Sequence, residues 1–492
     1  MNWSNIIHDI LFYKPAAPIL FNSGTFWLLF ILVLSVYAAI YRNNTARTLF
    51  LLGFSIFFYY KSSGVYVMLL IGTLVFVYML TKLMFRQKNP VLKKWMLVVN
   101  VVVTLGFLAY YKYTNFFIDN FSLISGQQFE AADIFLPVGI SFYTFQILSY
   151  VFDVYRGDLE PEKDFFNYAF YITFFPQLVA GPIVRASQFL PQLKGHITIH
   201  PDEVQKGFFL IMQGLFKKAV LADYVSQYND LIFNAPGTYS GFENLMAVYG
   251  YTLQIYCDFS GYSDMAIGIG KMMGFDLGIN FNKPYQSLSI TEFWRRWHIS
   301  LSSWLRDYLY IPLGGNRKGK LRTYINLFIT MLLGGLWHGP SWQFVFWGGM
   351  HGVGLAIHKL WKTYVMPGEI DSKWGSRIYT FFAWFITFHF VVFLWIFFRA
   401  QSFELAWEMI GQIFGAMDWA YLQPFWSVRH IFVVMLIIGI AIHAVPSRLF
   451  PKMENIYVKM PFVVKAIAFV VLIQLVIQFK SESVQPFIYF QF

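Results

Sequence analysis

Histidine is the side chain whose ordinary pKa lets it take up and release a proton near neutral pH. The 10 histidines of this chain are therefore where chemistry is sought first. One of them, His338, ends an apolar run in Gly334-Gly335-Leu336-Trp337-His338-Gly339-Pro340-Ser341-Trp342. An aromatic stretch resumes at Ser341 and continues through Trp347-Gly348-Gly349 to His351-Gly352. Proline lacks an amide donor and disfavours a helical residue before it. The spacing thus predicts a break at 339–340 between two membrane-depth helices. Irregular backbone at that depth is tolerated only against protein or a wet cavity, and an ionisable side chain there is a functional-site hypothesis by default. Two structural roles compete with function on equal terms. His338 could be a buried histidine satisfying a neighbouring carbonyl, or a member of an interfacial aromatic belt with Trp337 and Trp342.

A second histidine sits in a different pattern. Ser289-Ile290-Thr291-Glu292 reads as a capping box. It opens a helix expected to run to about Tyr310 and to stop before Pro312-Leu313-Gly314-Gly315. At about 100° per residue, Trp294, Trp297, Leu301, Trp304, Leu305 and Tyr308 share one face. Arg295, Ser302 and Arg306 lie on another, and His298 falls at the boundary. Such a helix lies along an interface or lines a cavity. Headgroup anchoring accounts for Arg295, Arg296 and Arg306 well, and for His298 less well.

The remaining constellations have blander readings. Tyr256-Cys257-Asp258-Phe259-Ser260-Gly261-Tyr262-Ser263-Asp264 reads as a buried hydrogen-bond network, with orientation of a catalytic group by Asp258 or Asp264 as the lesser reading. Cys257 is the one cysteine, which rules out an intramolecular disulfide. It is better read as a small buried hydrophobe than as an acyl carrier. His298, His338 and His351 show no metal-ligand spacing such as HExxH, so no metal is expected. Packing is the default role for His351 and His358, and the glycines at 348–354 suit close helix packing.

The elements that must hold these residues are membrane helices. Of 492 residues, 57% are hydrophobic, 21% aromatic and only 13% charged, about half the charge of a soluble domain, and mean hydropathy is +0.51. The net charge of +11 resides largely in basic loops, as in membrane proteins generally, so no nucleic-acid partner is expected. Met1-Asn2-Trp3-Ser4 has no basic n-region, so no cleavable signal peptide is expected. Spans are expected at 26–41, 49–60, 65–80, 95–111, 135–151, 245–273, 323–338, 342–361, 379–398, 430–445 and 461–479. The 49–60 run falls short of the roughly 20 residues a crossing needs. A polar loop is expected after Tyr113, a break within the bilayer at Pro176, Gly181 and Pro182, and a non-membrane stretch over 188–205. Residues 1–24 and Gln485-Pro486-Phe487-Ile488-Tyr489-Phe490 suit an interface. Gln254, Asp258, Ser260, Asp264 and Lys271 must face an interior. The positive-inside rule puts loops 42–47, 82–94 and 317–322 in the cytoplasm.

The order of Phe293-Trp294-Arg295-Arg296-Trp297-His298 and Trp337-His338-Gly339, in hydrophobic surroundings, resembles the signature of the membrane-bound O-acyltransferase (MBOAT) family. The similarity runs from about Phe135 to the end. It is to the bacterial polysaccharide branch, typified by the integral-membrane subunit of alginate O-acetylation. The resemblance implies an all-α polytopic membrane protein: a bundle of about 11 transmembrane helices, with re-entrant and interfacial helices around a central funnel. It implies one membrane domain over 1–492, with N-terminal spans at 1–134, a catalytic core at 135–400 and C-terminal spans at 401–492. His338 would be the catalytic base. His298 would be the second polar residue of the active site, a position held by asparagine in some branches and histidine in this one. The implied reaction moves an acyl group, most simply acetyl, from a cytoplasmic thioester such as acetyl-CoA to a hydroxyl of an extracytoplasmic polysaccharide. Transfer would be direct or through a periplasmic acyltransferase partner, in the lipid of a bacterial inner membrane, with no bound cofactor. By its own charge and apart from the resemblance, the basic loop at 317–322, with Arg317 and Lys318, could receive the donor phosphates or, equally simply, cytoplasmic lipid headgroups. Alternatives are D-alanyl or peptidoglycan O-acyl transfer by the same fold, and a polysaccharide or lipid transporter without catalysis, which polar broken helices would suit as well.

Overall fold

A computed structural model describes residues 11–14, 19, 21, 23–179, 181–366 and 373–479. Ile6-Ile7 and the tail at 485–490, expected at an interface, lie outside the described residues. Among those described, every regular element is helical. Five stretches are long and apolar enough to cross a membrane: Asn44–Arg86, Pro90–Ser125, Trp374–Arg399, Trp419–Ala444 and Phe462–Phe479. In the last, 6% of residues are buried by protein, so lipid must cover the rest. The chain is an all-α membrane protein. It divides into two compact units, Met1–Ile211 with Met265–Gly278, and Met212–Asp264 with Ile279–Phe492.

The first unit contains α1 (Gly24–Ile40), α2 (Asn44–Ser63), α3 (Val67–Arg86), α4 (Pro90–Ser125), α5 (Ile140–Arg156), α6 (Phe165–Thr173), α7 (Ala186–Lys194) and most of α8 (Pro201–Leu215). The run expected to be too short at 49–60 belongs to a helix of 20 residues. Asn43 starts it early by accepting from the Ala46 amide, so the polar residues 44–48 join the helix. Gly64, at φ 58°, then turns the chain into α3. The loop expected after Tyr113 is instead helix as far as Ser125. No glycine or proline interrupts those polar residues before Gly126, which ends the helix at φ 70°. The segment expected to break at Pro176, Gly181 and Pro182 is interrupted earlier: α6 stops at Thr173, and Pro176 sits in the first positions of one further turn at Phe175–Leu178. The stretch 188–205, expected outside the membrane, is helical over α7 and again from Pro201. The rings of Phe170, Phe174, Phe189 and Phe275 pack together in this unit, with centroids 5.0–5.8 Å apart.

The second unit carries both motif histidines. It holds α9 (Asp223–Asn234), most of α10 (Gly241–Met272), α11 (Ile290–Arg296), α12 (Ile299–Leu305), α13 (Lys320–His338), α14 (Trp342–Leu360), α15 (Lys373–Arg399), α16 (Phe403–Gly415), α17 (Leu422–Ala444), α18 (Phe450–Lys459) and α19 (Phe462–Phe479). Helices α13 and α14 are joined by a short break in which Gly339 and Ser341 are extended. They pack backbone to backbone. A Cβ added at Gly335 would lie 2.2 Å from the Phe344 carbonyl oxygen, and one at Gly348 2.3 Å from that of Met331. Gly335 and Gly348 thus serve close packing.

Candidate active site

The helix expected to run unbroken from Ser289 to about Tyr310 is interrupted. Ser289 caps α11 as the motif predicts, accepting from the Glu292 amide at 3.2 Å, while Glu292 turns back to accept from the Leu288 amide at 2.8 Å. Helix α11 ends at Arg296, and α12 begins at Ile299. Between them His298 adopts a left-handed backbone, φ 43° and ψ 56°. That conformation is unusual for a residue with a Cβ and costs about 1–2 kcal/mol. The helix then loosens into π geometry over Arg306–Tyr310.

His298 is fully buried. Its ring meets Phe259 edge-on, with centroids 4.6 Å apart, and lies 6.4 Å from Phe281. Burial in these surroundings pushes its pKa down to about 3, favouring the neutral imidazole. Nδ1 lies 3.2 Å from Oδ1 of Asn280, a buried residue on the segment leading into α11.

His338 is the last residue of α13, and only 3% of it is exposed. Its ring is walled by Trp337 and Trp347, each at 5.0 Å, and by Phe398 at 5.3 Å. The Trp337 ring is common to both histidines: it stands 6.2 Å from His298 and 5.0 Å from His338. Those separations cap the distance between the imidazole centres at 11.2 Å. His351 packs one tryptophan further along, 4.7 Å from Trp347, and accepts a 3.3 Å hydrogen bond at Nδ1 from the Trp294 indole N–H. His358 pairs with the Thr291 hydroxyl at 2.8 Å.

Two cavities lie along the α13–α14 hairpin. One, of about 1100 Å³, is bounded by Leu327, Thr330 and Met331 of α13 and by residues 355–363. Arg295, Arg306, Lys359 and Lys362 reach it, against the single carboxylate of Glu292. The other, of about 540 Å³, lies beyond the break, where Pro340, Ser341, Gln343 and Phe344 face Asn234, Phe398 and Gln401. It also holds the Asp230–Arg399 ion pair, 2.5 Å apart. Phe398 therefore lines this second cavity and touches His338 as well. Arg317 and Lys318 lie on the turn before α13, outside the lining of either cavity.

The acidic motif on α10 is a buried ionic network. Lys217 pairs with Asp264 at 2.7 Å, and Gln213 donates to the same carboxylate at 3.1 Å. Lys218 bridges Asp223, at 2.7 Å, and Asp258. Both lysines sit on a π-helical segment, Phe216–Ala222. Cys257 is buried in the same helix as the acids.

A family model described as MBOAT, membrane-bound O-acyltransferase, matches residues 162–398, which include both motif histidines. A probable alginate O-acetylase from Pseudomonas aeruginosa is 42% identical over 407 residues, covering 81% of this chain and 75% of the relative. The chain belongs to the membrane-bound O-acyltransferase family. A peptidoglycan O-acetyltransferase from Helicobacter pylori is 36% identical over 81% of this chain and 80% of its own. A teichoic acid D-alanyltransferase from Bacillus subtilis is 30% identical over 54% and 69%. As a member of this family the protein is an acyltransferase. Two neighbours of these groups carry no signal in the sequence, Asn280 beside His298 and Lys359 on the larger cavity. Asn280 is a lone polar residue 18 positions before its partner, with no spacing signal to mark it.

Proposed function

We propose that the protein moves an acetyl group from a cytoplasmic thioester, acetyl-CoA or another acyl thioester, to a hydroxyl of an extracytoplasmic polysaccharide. It would do so in the inner membrane of a bacterium, through a multi-pass bundle, directly or by way of a periplasmic acyltransferase partner. The observation that carries this reading is the pairing of His298 and His338 on one tryptophan, with a basic cavity and a polar uncharged-to-paired cavity along the same hairpin. Cationic side chains around the larger cavity suit a phosphorylated donor. These are Arg295, Arg306, Lys359 and Lys362, with Arg317 and Lys318 on the turn before α13 as the other place for the donor phosphates. Amides, a hydroxyl and phenyl rings around the smaller one suit a sugar or another hydroxyl-bearing acceptor. The greater identity to O-acetyltransferases than to the D-alanyltransferase favours acetyl.

The chemistry needs a base, because an alcohol is a poor nucleophile at neutral pH while a thioester is an activated acyl donor. His338 takes the hydroxyl proton as the oxygen attacks the thioester carbonyl, a role worth about 10²–10⁴-fold. A C–O bond forms, the C–S bond breaks, and the departing thiolate receives the proton, leaving ester and thiol. His298 either polarises the carbonyl or shares the proton relay. The test is His338→Ala. It should accumulate in the membrane yet leave surface glycans without the ester-linked acetyl mass that mass spectrometry finds in the wild type. Wild-type ester in this variant refutes the assignment.

A further inference from the structure

The neighbours of His298 point to a residue that acts through it. Helix α12 begins with a problem common to all helices: its first amides have no partner within the helix. Ser, Thr, Asp or Asn at the N-cap ordinarily supplies one. The N-cap here is His298, whose side chain does not cap. The amides are taken instead by Asn280, from 18 positions away. Its backbone carbonyl accepts from the Ile299 N–H at 2.9 Å, and its side-chain Oδ1 accepts from the Ser300 N–H at 3.2 Å.

That second contact decides which way round the Asn280 amide lies. A backbone N–H can only donate. Turning the amide over would set its NH2 against the Ser300 N–H, donor facing donor. The atom 3.2 Å from Ser300 N is therefore oxygen, and the Nδ2 on the other side donates to the Ser263 hydroxyl at 3.3 Å. The same oxygen accepts from the Ser300 hydroxyl at 2.8 Å and stands 3.2 Å from His298 Nδ1. An amide oxygen has no proton to give, and the Ser300 hydroxyl, 3.5 Å from Nδ1, gives its one hydrogen to that oxygen at the shorter distance, so Nδ1 carries the hydrogen of this bond. In a neutral imidazole the other nitrogen, Nε2, is then the acceptor.

We propose that Asn280 is a positioning residue for acyl transfer: by capping α12 in place of His298, it locks His298 in the Nδ1–H form with Nε2 as a proton acceptor. The proposal rests on the reading of His298 as a member of the transfer site, and it selects between the two roles left open above. A neutral imidazole held this way cannot donate from Nε2 to a thioester carbonyl, so His298 serves the proton relay. It also accounts for the left-handed backbone at position 298. The residue that would normally cap with its own side chain is released to present its ring, and the conformational cost is offset by the capping that Asn280 supplies.

The experiment uses the full-length protein in detergent, with the histidine rings labelled with 15N. The His298 signals are assigned by difference from His298→Asn, and their shifts report which ring nitrogen is protonated. The wild type should show Nδ1 protonated and Nε2 bare. Asn280→Asp keeps an acceptor oxygen and should keep both the tautomer and most of the transfer activity. Asn280→Ala should lose the fixed tautomer and at least tenfold in kcat, with the KM for acetyl-CoA changed by less than threefold. A general loss of structure would not follow the tautomer or be restored by Asp. A wild-type His298 protonated at Nε2 overturns the proposal, and so does an Asn280→Ala protein with the wild-type tautomer and rate. If Asn280→Ala does not accumulate, the wild-type and Asn280→Asp spectra still decide. A locked tautomer in a protein whose His298→Ala variant transfers normally would instead refute the place of His298 in the reaction.

Discussion

The contact between α13 and α14 allows a perturbation whose size can be worked from distances. A Cβ at Gly348 would lie 2.3 Å from the Met331 carbonyl oxygen and 2.8 Å from the Gly335 Cα. Ordinary contact begins at 3.4 Å, so the methyl of Gly348→Ala intrudes by 1.1 Å on one side. Both obstacles are backbone, which cannot swing aside as a side chain can. The helices must therefore part by about 1 Å, and overpacking of that kind costs about 1–3 kcal/mol. His338 lies three residues beyond Gly335, at the end of the helix that must move. Misplacing a reacting group by about 1 Å can cost about 10²-fold in rate. Gly348→Ala should therefore lower both the melting temperature and kcat, with kcat falling about 10²-fold. The control is Gly411→Ala in α16, where nothing lies within 4 Å of the added methyl. Relief of a helical glycine should leave that variant unchanged or up to about 1 kcal/mol more stable. The measurements are thermal unfolding of the purified protein and acetyl release from a labelled donor. A Gly348→Ala protein with the melting point and rate of the Gly411→Ala control would refute the packing argument.

Three further outcomes are expected. His298→Asn and His298→Ala should lose transfer to a similar extent, since an amide can accept a hydrogen bond but cannot take up and pass on a proton; an Asn variant that keeps most of the transfer in a glycan-ester assay would remove His298 from the relay. Lys359→Glu combined with Lys362→Glu should raise the KM for acetyl-CoA about tenfold, equivalent to about 1.4 kcal/mol, and wild-type KM should climb with added salt as the charges are screened; an unchanged KM would remove the donor from the basic cavity. Helix α13 has 19 residues and starts within the basic stretch 317–322, so it rises about 28 Å, nearly the thickness of the hydrocarbon. Lys318→Cys in a Cys257→Ser background should therefore react with a membrane-impermeant thiol reagent only after the membrane is opened, and labelling of intact cells would reverse the direction of transfer proposed above.

The sequence alone determined whatever depends on neighbours along the chain. The helix break at Gly339-Pro340 follows from proline's missing donor, and the start at Ser289 from a local hydrogen bond. Composition was enough for the membrane class, because the bilayer selects for apolar length. The glycines at 348–354 were legible as packing sites, since glycine has few other uses inside a helix; Gly335, which meets Gly348, was not. The length of α4 was not, because polarity alone does not end a helix that meets neither glycine nor proline. The break at His298 was equally hidden: Trp297 and Ile299 carry no breaking signal, and the residue that takes the first amides of α12, Asn280, stands 18 positions before the break. Nor could spacing show that one tryptophan touches both histidines, that Lys217 and Lys218 complete the acidic motif, or that Lys359 and Lys362 share a cavity with Arg295. Each of those depends on which helices lie side by side. Side-chain chemistry sets what a residue can do, but only tertiary packing brings Asn280 to His298 and sets Trp337 between His298 and His338.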